Sequence, residues 1–503
     1  MSFRARYQQL LDTFGTIADL SGAVAVLGWD EQTYMPPQGA RARARQKATL
    51  ERLAHELLTA PTVGELIEQL EDDVRALPAD APERALIRLA RRAYDRAVKL
   101  PAELVQALSQ ASSEGFAAWL EARQQGDYEV FRPKFERLVA LQVEKADALG
   151  WRDCRYDALL DLFEPDLDTA TVRRLFAALR DELVPIVRAI GERVQAVDAS
   201  ILRRHYPADQ QWAFTLEVLK TLGFDFERGR QDRSEHPFTT SFSVDDVRIT
   251  TRIWEDYLPA ALFATIHEAG HALYDLGLPR EWERTPLCSP VSLGVHESQS
   301  RLWENVIGRS RAFWQYFYPR LQQAFSAQLG DVPLEVFYRA INRVEPTLIR
   351  VEADEVTYNL HIFLRFELEQ ALLDGDLAVR DVPEAWNAKM REYLGVEPGD
   401  VRQGPLQDVH WSGDSFGYFP TYTLGNILAV QFYARMRQDH PDLDDEIRRG
   451  RFSTVLGWLR EHIHRHGARY TPQELVQRVT GRGIEIEPYL DYIRNKYGEI
   501  YGL

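Results

Sequence analysis

The run His267-Glu268-Ala269-Gly270-His271 has the residue types and the spacing for metal-assisted hydrolysis. On a helix, histidines four residues apart share one face, so both imidazoles can reach one ion. Zinc accepts neutral imidazole nitrogen readily. Glu268 follows the first histidine and is placed to take the proton of an attacking water. The neighbours Ala264, Ile266, Ala269, Ala272 and Leu273 make this helix apolar almost all round, so burial is expected. Buried histidines and a buried carboxylate need partners, and a metal supplies them. A hydrolytic site takes a third protein ligand and leaves a fourth position for water. The segment Gly294-Val295-His296-Glu297-Ser298-Gln299-Ser300 opens another helix, striped by Leu302, Trp303 and Ile307. Glu297 is the expected third ligand. His296, which would point to a different face, is the local alternative.

Three further groups could serve such a site. Asp246-Val247-Arg248-Ile249-Thr250 puts a charged pair in an apolar strand, as a structural ion pair or as groups that shape the site. Arg350 follows Pro346 in a segment expected to begin a long helix. Arg350 and Asp354 suit an i, i+4 pair, and a guanidinium also suits a substrate carboxylate. The aromatic, glycine-punctuated stretch from Gly404 to Tyr422 reads as a loop, and loops often carry chemistry. Its His410, Tyr418 and Tyr422 could each donate a hydrogen bond to an oxyanion. Trp29 to Pro37 reads as a turn-like aromatic segment with a packing role.

The elements that must position these groups are mostly helices. Apolar residues recur at three and four spacing over 4–20, 41–58, 82–98, 101–123, 128–149 and 169–197. Asp168 and the Thr471–Glu474 pair read as helix caps. The exception is 238–254, where Thr, Ser, Val and Ile alternate in part and predict a strand or hairpin with its turn near Asp245. No repeat or low-complexity linker divides the chain. The expected architecture is one large, mainly α-helical domain over 1–503, able to open as two lobes around a groove, with a small sheet beside the site.

Apolar residues at 45% and charged residues at 27% are ordinary globular values. The net charge of -16, with Lys and Arg scattered, argues against nucleic acid as a partner. The two cysteines form no CxxC pair, which removes cysteine zinc sites, and their scarcity suits a reducing cytoplasm. The N-terminal stretch reads as neither a signal peptide nor a membrane span, so no membrane role is expected.

Taken in order, His236-Pro237-Phe238, Asp246 to Thr250, His267 to His271, His296 to Gln299, Ile349 to Asp354 and Gly404 to Trp411 resemble the motif set of the M32 metallocarboxypeptidases, the carboxypeptidase Taq type. The resemblance covers essentially the whole chain. It implies a helical fold similar to neurolysin and angiotensin-converting enzyme, with a small sheet beside a deep groove. It implies a homodimer and zinc, sometimes replaced by cobalt. It implies release of single C-terminal residues from peptides, with broad specificity. It carries the metal ligands onto His267, His271 and Glu297, the base onto Glu268, and substrate contacts onto Arg350 and His410. The rival on the same scaffold is an oligopeptidase or dipeptidyl carboxypeptidase. A non-catalytic zinc-stabilised binding protein is a third reading, and Glu268 argues against it, because a structural site needs no base.

Overall fold

A computed structural model describes residues 2–503. Among them are 21 α-helices and one three-stranded sheet, so the chain is mainly helical, as expected. The expected helices form at Ala40–Leu58, Pro82–Lys99, Ala102–Gln125, Tyr128–Leu149 and Thr169–Gly191. Asp168 and Thr471 cap their helices through side-chain oxygens that accept backbone N–H bonds.

The chain divides into two compact units. The first comprises Met1–Val98, Ala199–Ile341 and Phe432–Gly483, and the second Lys99–Asp198, Asn342–Gln431 and Ile484–Leu503.

In the first unit, β1 (Gly229–Arg233), β2 (Thr239–Ser243) and β3 (Asp246–Thr251) form a sheet of order β1-β3-β2. β3 runs antiparallel to β2 and parallel to β1. The hairpin of β2 and β3 matches the alternation of the sequence. β1 reads GRQDR, whose polar residues carry no strand signal. Val247 and Ile249 of β3 turn to one face and pack with Leu219 and Phe224 against Ala269, Ala272 and Leu276. The last three lie on or at the end of the helix Leu258–Asp275, which carries His267 and His271, so the sheet and that helix share one apolar core. The Val, Ile, Leu and Phe side chains of this core each contribute roughly 1.5–3 kcal/mol on burial. Pro259 lies in the helix's first turn, where its missing N–H costs nothing.

The N-terminal helix is longer than its sequence signal, Phe3–Thr33. Trp29 to Thr33 therefore belong to a helix, where a turn was expected. This helix also corrects the reading of the N-terminus. It reaches a mean hydropathy of 1.5 over an 18-residue window, long and apolar enough by length and composition to cross a membrane, because charges interrupt it more sparsely than they punctuate its ends. Its Leu10 and Phe14 are nonetheless buried in a cluster with Leu66, Ile67, Leu70 and Leu86.

In the second unit, the helices Ala102–Gln125 and Tyr128–Leu149 are joined by the tight turn Gly126-Asp127 and share a core of Leu104, Leu108 and Leu141. The helix Tyr358–Asp374 is buried nearly all round. It begins later than expected, because Ile349 is extended and Arg350–Glu352 form only a 3₁₀ turn.

Candidate active site

The active-site helix brings His267 and His271 onto one face, with ring centroids 5.0 Å apart. The helix Leu293–Arg301 presents Glu297 to both. Glu297 Oε2 lies 3.3 Å from His271 Nε2 and 3.7 Å from His267 Nε2. Ligand atoms of the three residues all lie within 4.8 Å of one another. Two ligands each about 2.1 Å from one tetrahedral ion stand about 3.4 Å apart, so this donor set fits a single divalent cation such as zinc.

Gly270 makes the approach possible. A Cβ there would lie 2.5 Å from Ser300 Cα and 2.6 Å from the Gln299 carbonyl. The helix carrying Glu297 therefore packs backbone to backbone on the helix carrying the histidines.

Neighbouring groups fix the donors. His267 Nδ1 lies 2.9 Å from Glu304 Oε2. A carboxylate only accepts, so Nδ1 carries the proton and the Nε2 lone pair faces Glu297. Glu304 lies in a π-helical stretch, Leu302–Ile307, that continues the Glu297 helix. Arg301 donates to Glu297 Oε1 at 2.6 Å and to Glu304 Oε2 at 3.2 Å. Burial opposes charge on both carboxylates. Arg301 and the two imidazoles nevertheless hold Glu297 well below the usual range, and His267 and Arg301 hold Glu304 down at about 2. Burial, with His296 adding to it, lowers His271 to about 4, which keeps its imidazole neutral and able to ligate.

Glu268 is buried, and burial raises its carboxyl above the ordinary value. Thr239 of β2 donates its hydroxyl to Glu268 Oε2 at 2.6 Å. A carboxylate with a raised pKa beside a metal-binding cluster is suited to general-base work. His296, the alternative ligand, points elsewhere: its Nε2 lies 3.1 Å from Asp275 Oδ1, while its ring stacks on His271 at 4.3 Å.

Arg248 lies in the same unit and is tied to its strand neighbour. It donates to both Asp246 oxygens at 2.9 Å, over the ring of Trp29 at 4.3 Å. Trp29 thus forms an aromatic floor for this arginine.

The second unit gathers the other expected residues. Arg350 is only 5% exposed. Its Nη2 donates to Asp408 Oδ1 at 2.7 Å and its Nη1 to the Tyr358 hydroxyl at 2.7 Å. The expected pairing with Asp354 does not form, because Asp354 caps the following helix, accepting from the N–H groups of Val356 and Thr357. Arg365 donates to the other oxygen of Asp408 at 2.6 Å. Burial lowers Arg365 only to about 10, so it stays charged at neutral pH. Burial lowers His410 to about 4, so it is neutral. Two guanidiniums against one carboxylate leave one positive charge in excess in this cluster. His410 Nε2 lies 3.3 Å from the Tyr422 hydroxyl. The Tyr418 ring packs edge-on against Tyr422 at 5.2 Å.

The structure therefore brings together His267, His271, Glu297 and Glu268 in one cluster, and Arg350, His410, Tyr418 and Tyr422 in another. Sequence reasoning missed Glu304, Arg301, Thr239, Asp408 and Arg365. Glu304 had a weak signal, being seven residues after Glu297 and so on the same helical face. Arg365 had none.

Comparison with known proteins places the chain in a family. The profile of the carboxypeptidase Taq (M32) metallopeptidases matches residues 9–497. Thermostable carboxypeptidase 1 of Thermus thermophilus is 46% identical over 511 residues, covering 100% of each chain. The crystal structure of the M32 carboxypeptidase from Deinococcus radiodurans superposes with a TM-score of 0.95 at 41% identity, covering 99% of this chain and 100% of that one. The fold alone is shared with a putative oligoendopeptidase F, at a TM-score of 0.57 and 15% identity over 99% of this chain and 95% of that one. The chain belongs to the carboxypeptidase Taq (M32) family of metallopeptidases.

Proposed function

We propose that this protein is a zinc-dependent carboxypeptidase that removes single residues from the C-termini of peptides and accepts many side chains, with cobalt able to replace zinc. The observation that carries the reading is the convergence of His267 Nε2, His271 Nε2 and Glu297 Oε2 beside the buried Glu268. A divalent cation held by these three residues supplies Lewis acidity toward water and the peptide carbonyl. Glu268 takes the proton of the attacking water and then gives it to the leaving amine. Thr239, hydrogen-bonded to Glu268, holds that carboxylate in one orientation. In the second unit, Arg350 is assigned to the substrate's terminal carboxylate, which would neutralise the excess positive charge of the Arg350–Asp408–Arg365 cluster. Arg248, whose Nε and Nη2 donate to Asp246, is the alternative candidate. His410, Tyr418 and Tyr422 are assigned to hydrogen bonds with the substrate, His410 or Tyr422 toward the developing oxyanion.

Mass spectrometry of N-terminally blocked peptides, with chelator and with zinc or cobalt restored, tests the reading. Stepwise loss of single C-terminal residues that stops on chelation and returns with metal is expected. Internal cuts would make the protein an oligopeptidase instead. The family resemblance supports a homodimer, which light scattering tests. The two unpaired cysteines suit a reducing cytoplasm.

A further inference from the structure

A cavity of about 830 Å³ lies within the first unit, between the helix Pro82–Lys99 and the segment 469–478, which runs into the helix Pro472–Thr480. Its size is that of a small-molecule site. None of His267, His271 and Glu297 lines it. Arg84, Arg88 and Arg91 line it from the first helix, spaced four and three residues apart and so on one face. Arg469 and Arg478 line it from the other segment, their guanidiniums 5.5 and 4.4 Å over the ring of Tyr470. A chain with a net charge of -16 thus gathers arginines around one hollow.

Hydrogen bonds fix the two walls against each other. Arg88 Nη2 donates to the Arg469 carbonyl at 3.0 Å, and Arg469 Nε to the Asp80 carbonyl at 2.8 Å. The carboxylates at the cavity already have partners. Glu71 accepts from Arg91 Nε and Nη2 at 2.9 and 3.1 Å, and Asp80 Oδ2 lies 3.5 Å from Arg469 Nη2. Glu474, one turn before Arg478, turns back to accept the Thr471 amide at 2.8 Å as part of a helix cap. Arg84 donates to the Leu77 carbonyl at 3.1 Å, and Arg478 rests on Tyr470. Among the described residues, neither of these two guanidiniums forms an ion pair with a carboxylate. His466 senses the resulting field: burial, with Arg465, Arg478 and Arg469 adding to it, lowers its imidazole to about 4.

We propose that this cavity binds a small organic bisphosphate, one phosphate on Arg84 and the other on Arg478. The two guanidiniums belong to different walls, so a ligand with an anionic group at each end meets both. A guanidinium fork takes a phosphate bidentately. A phosphate carries about two negative charges and a third acceptor oxygen for a further donor. A carboxylate brings half that charge, and Glu71, Asp80 and Glu474 at the cavity repel any anion, so the more highly charged group is favoured. The site is independent of the carboxypeptidase reading.

The experiment is calorimetric titration of the full-length, zinc-loaded protein with fructose 1,6-bisphosphate and with tricarballylate, a tricarboxylate, at one ionic strength. Wild type is expected to bind one bisphosphate with a Kd below about 1 mM. Tricarballylate is expected to bind at least about tenfold more weakly. Arg84→Gln and Arg478→Gln each weaken the bisphosphate about tenfold or more. Arg52→Gln, at an exposed arginine that pairs with Glu56 outside the cavity, leaves its affinity unchanged. Circular dichroism and thermal midpoints check that each variant is folded. No bisphosphate binding, or binding that survives both cavity substitutions, would overturn the proposal; capture of the metal by the phosphates gives the second result. An equal loss in Arg52→Gln would reduce it to general charge attraction and overturn it as well. Tighter binding of tricarballylate would overturn the assignment to phosphate.

Discussion

Glu304 Oε2 lies 2.9 Å from His267 Nδ1, which turns the other ring nitrogen toward Glu297 and makes Glu304 a positioning residue for the metal site. Such partners fix tautomer and ring orientation and raise ligand basicity. Glu304→Ala is therefore expected to weaken metal affinity about 10–100-fold. Competition with a chelator of known affinity measures it. Unchanged affinity would remove Glu304 from the site.

Glu268 is buried and hydrogen-bonded to Thr239, but it is not among the three converging ligands. Glu268→Gln keeps nearly the same shape and loses the proton acceptor. The variant is expected to bind metal as wild type does and to lose about 10²–10⁴-fold in kcat. Metal content by mass spectrometry and turnover on one blocked dipeptide separate the two effects. Full turnover in this variant would sink the mechanism.

Arg350 carries the cationic charge assigned to substrate recognition. Wild type should then discriminate against C-terminally amidated peptides, which lack that carboxylate. Arg350→Gln is expected to lower kcat/KM on free peptides about 10–100-fold, the value of a lost charge-assisted hydrogen bond, and to erase most of the discrimination. If Arg248→Gln erases it instead, the roles of the two arginines are reversed.

Glu369 gives a pH-dependent prediction. Its carboxylate is fully buried and accepts from Trp411 Nε1 at 2.9 Å, the Tyr156 hydroxyl at 2.8 Å and the Gly417 amide at 3.1 Å. Burial raises it from 4.5 to about 7, against the pull of these donors. Between those values the folded protein holds a proton that the unfolded chain has released. Stability therefore falls as pH rises through that window, by up to about 3 kcal/mol. Glu369→Gln cannot titrate, so its thermal midpoint should gain on wild type between pH 5 and pH 8, whatever its constant offset. A pH-independent gap between the two midpoints would show that the folded-state shift is absent.

The sequence by itself determined what depends on local order along the chain. Helical periodicity located six of the helices, all but the longer N-terminal one to within a few residues, because each buries one apolar stripe. The spacing His267-Glu268-Ala269-Gly270-His271 determined that both imidazoles share a face, because a four-residue step is about one turn. It also marked Glu297 as a ligand candidate ahead of His296. Tertiary structure decided everything that depends on which surfaces meet. β1 pairs with β3 through backbone bonds, so its polar side chains gave no sign of it. Glu304 reaches His267 through a π-helical register, and Gly270 serves because another backbone lies 2.5 Å from its missing Cβ. Arg350 found Asp408, 58 residues away, and left Asp354 to cap a helix. A buried guanidinium takes the carboxylate that folding brings to it, and proximity along the chain does not say which one that is.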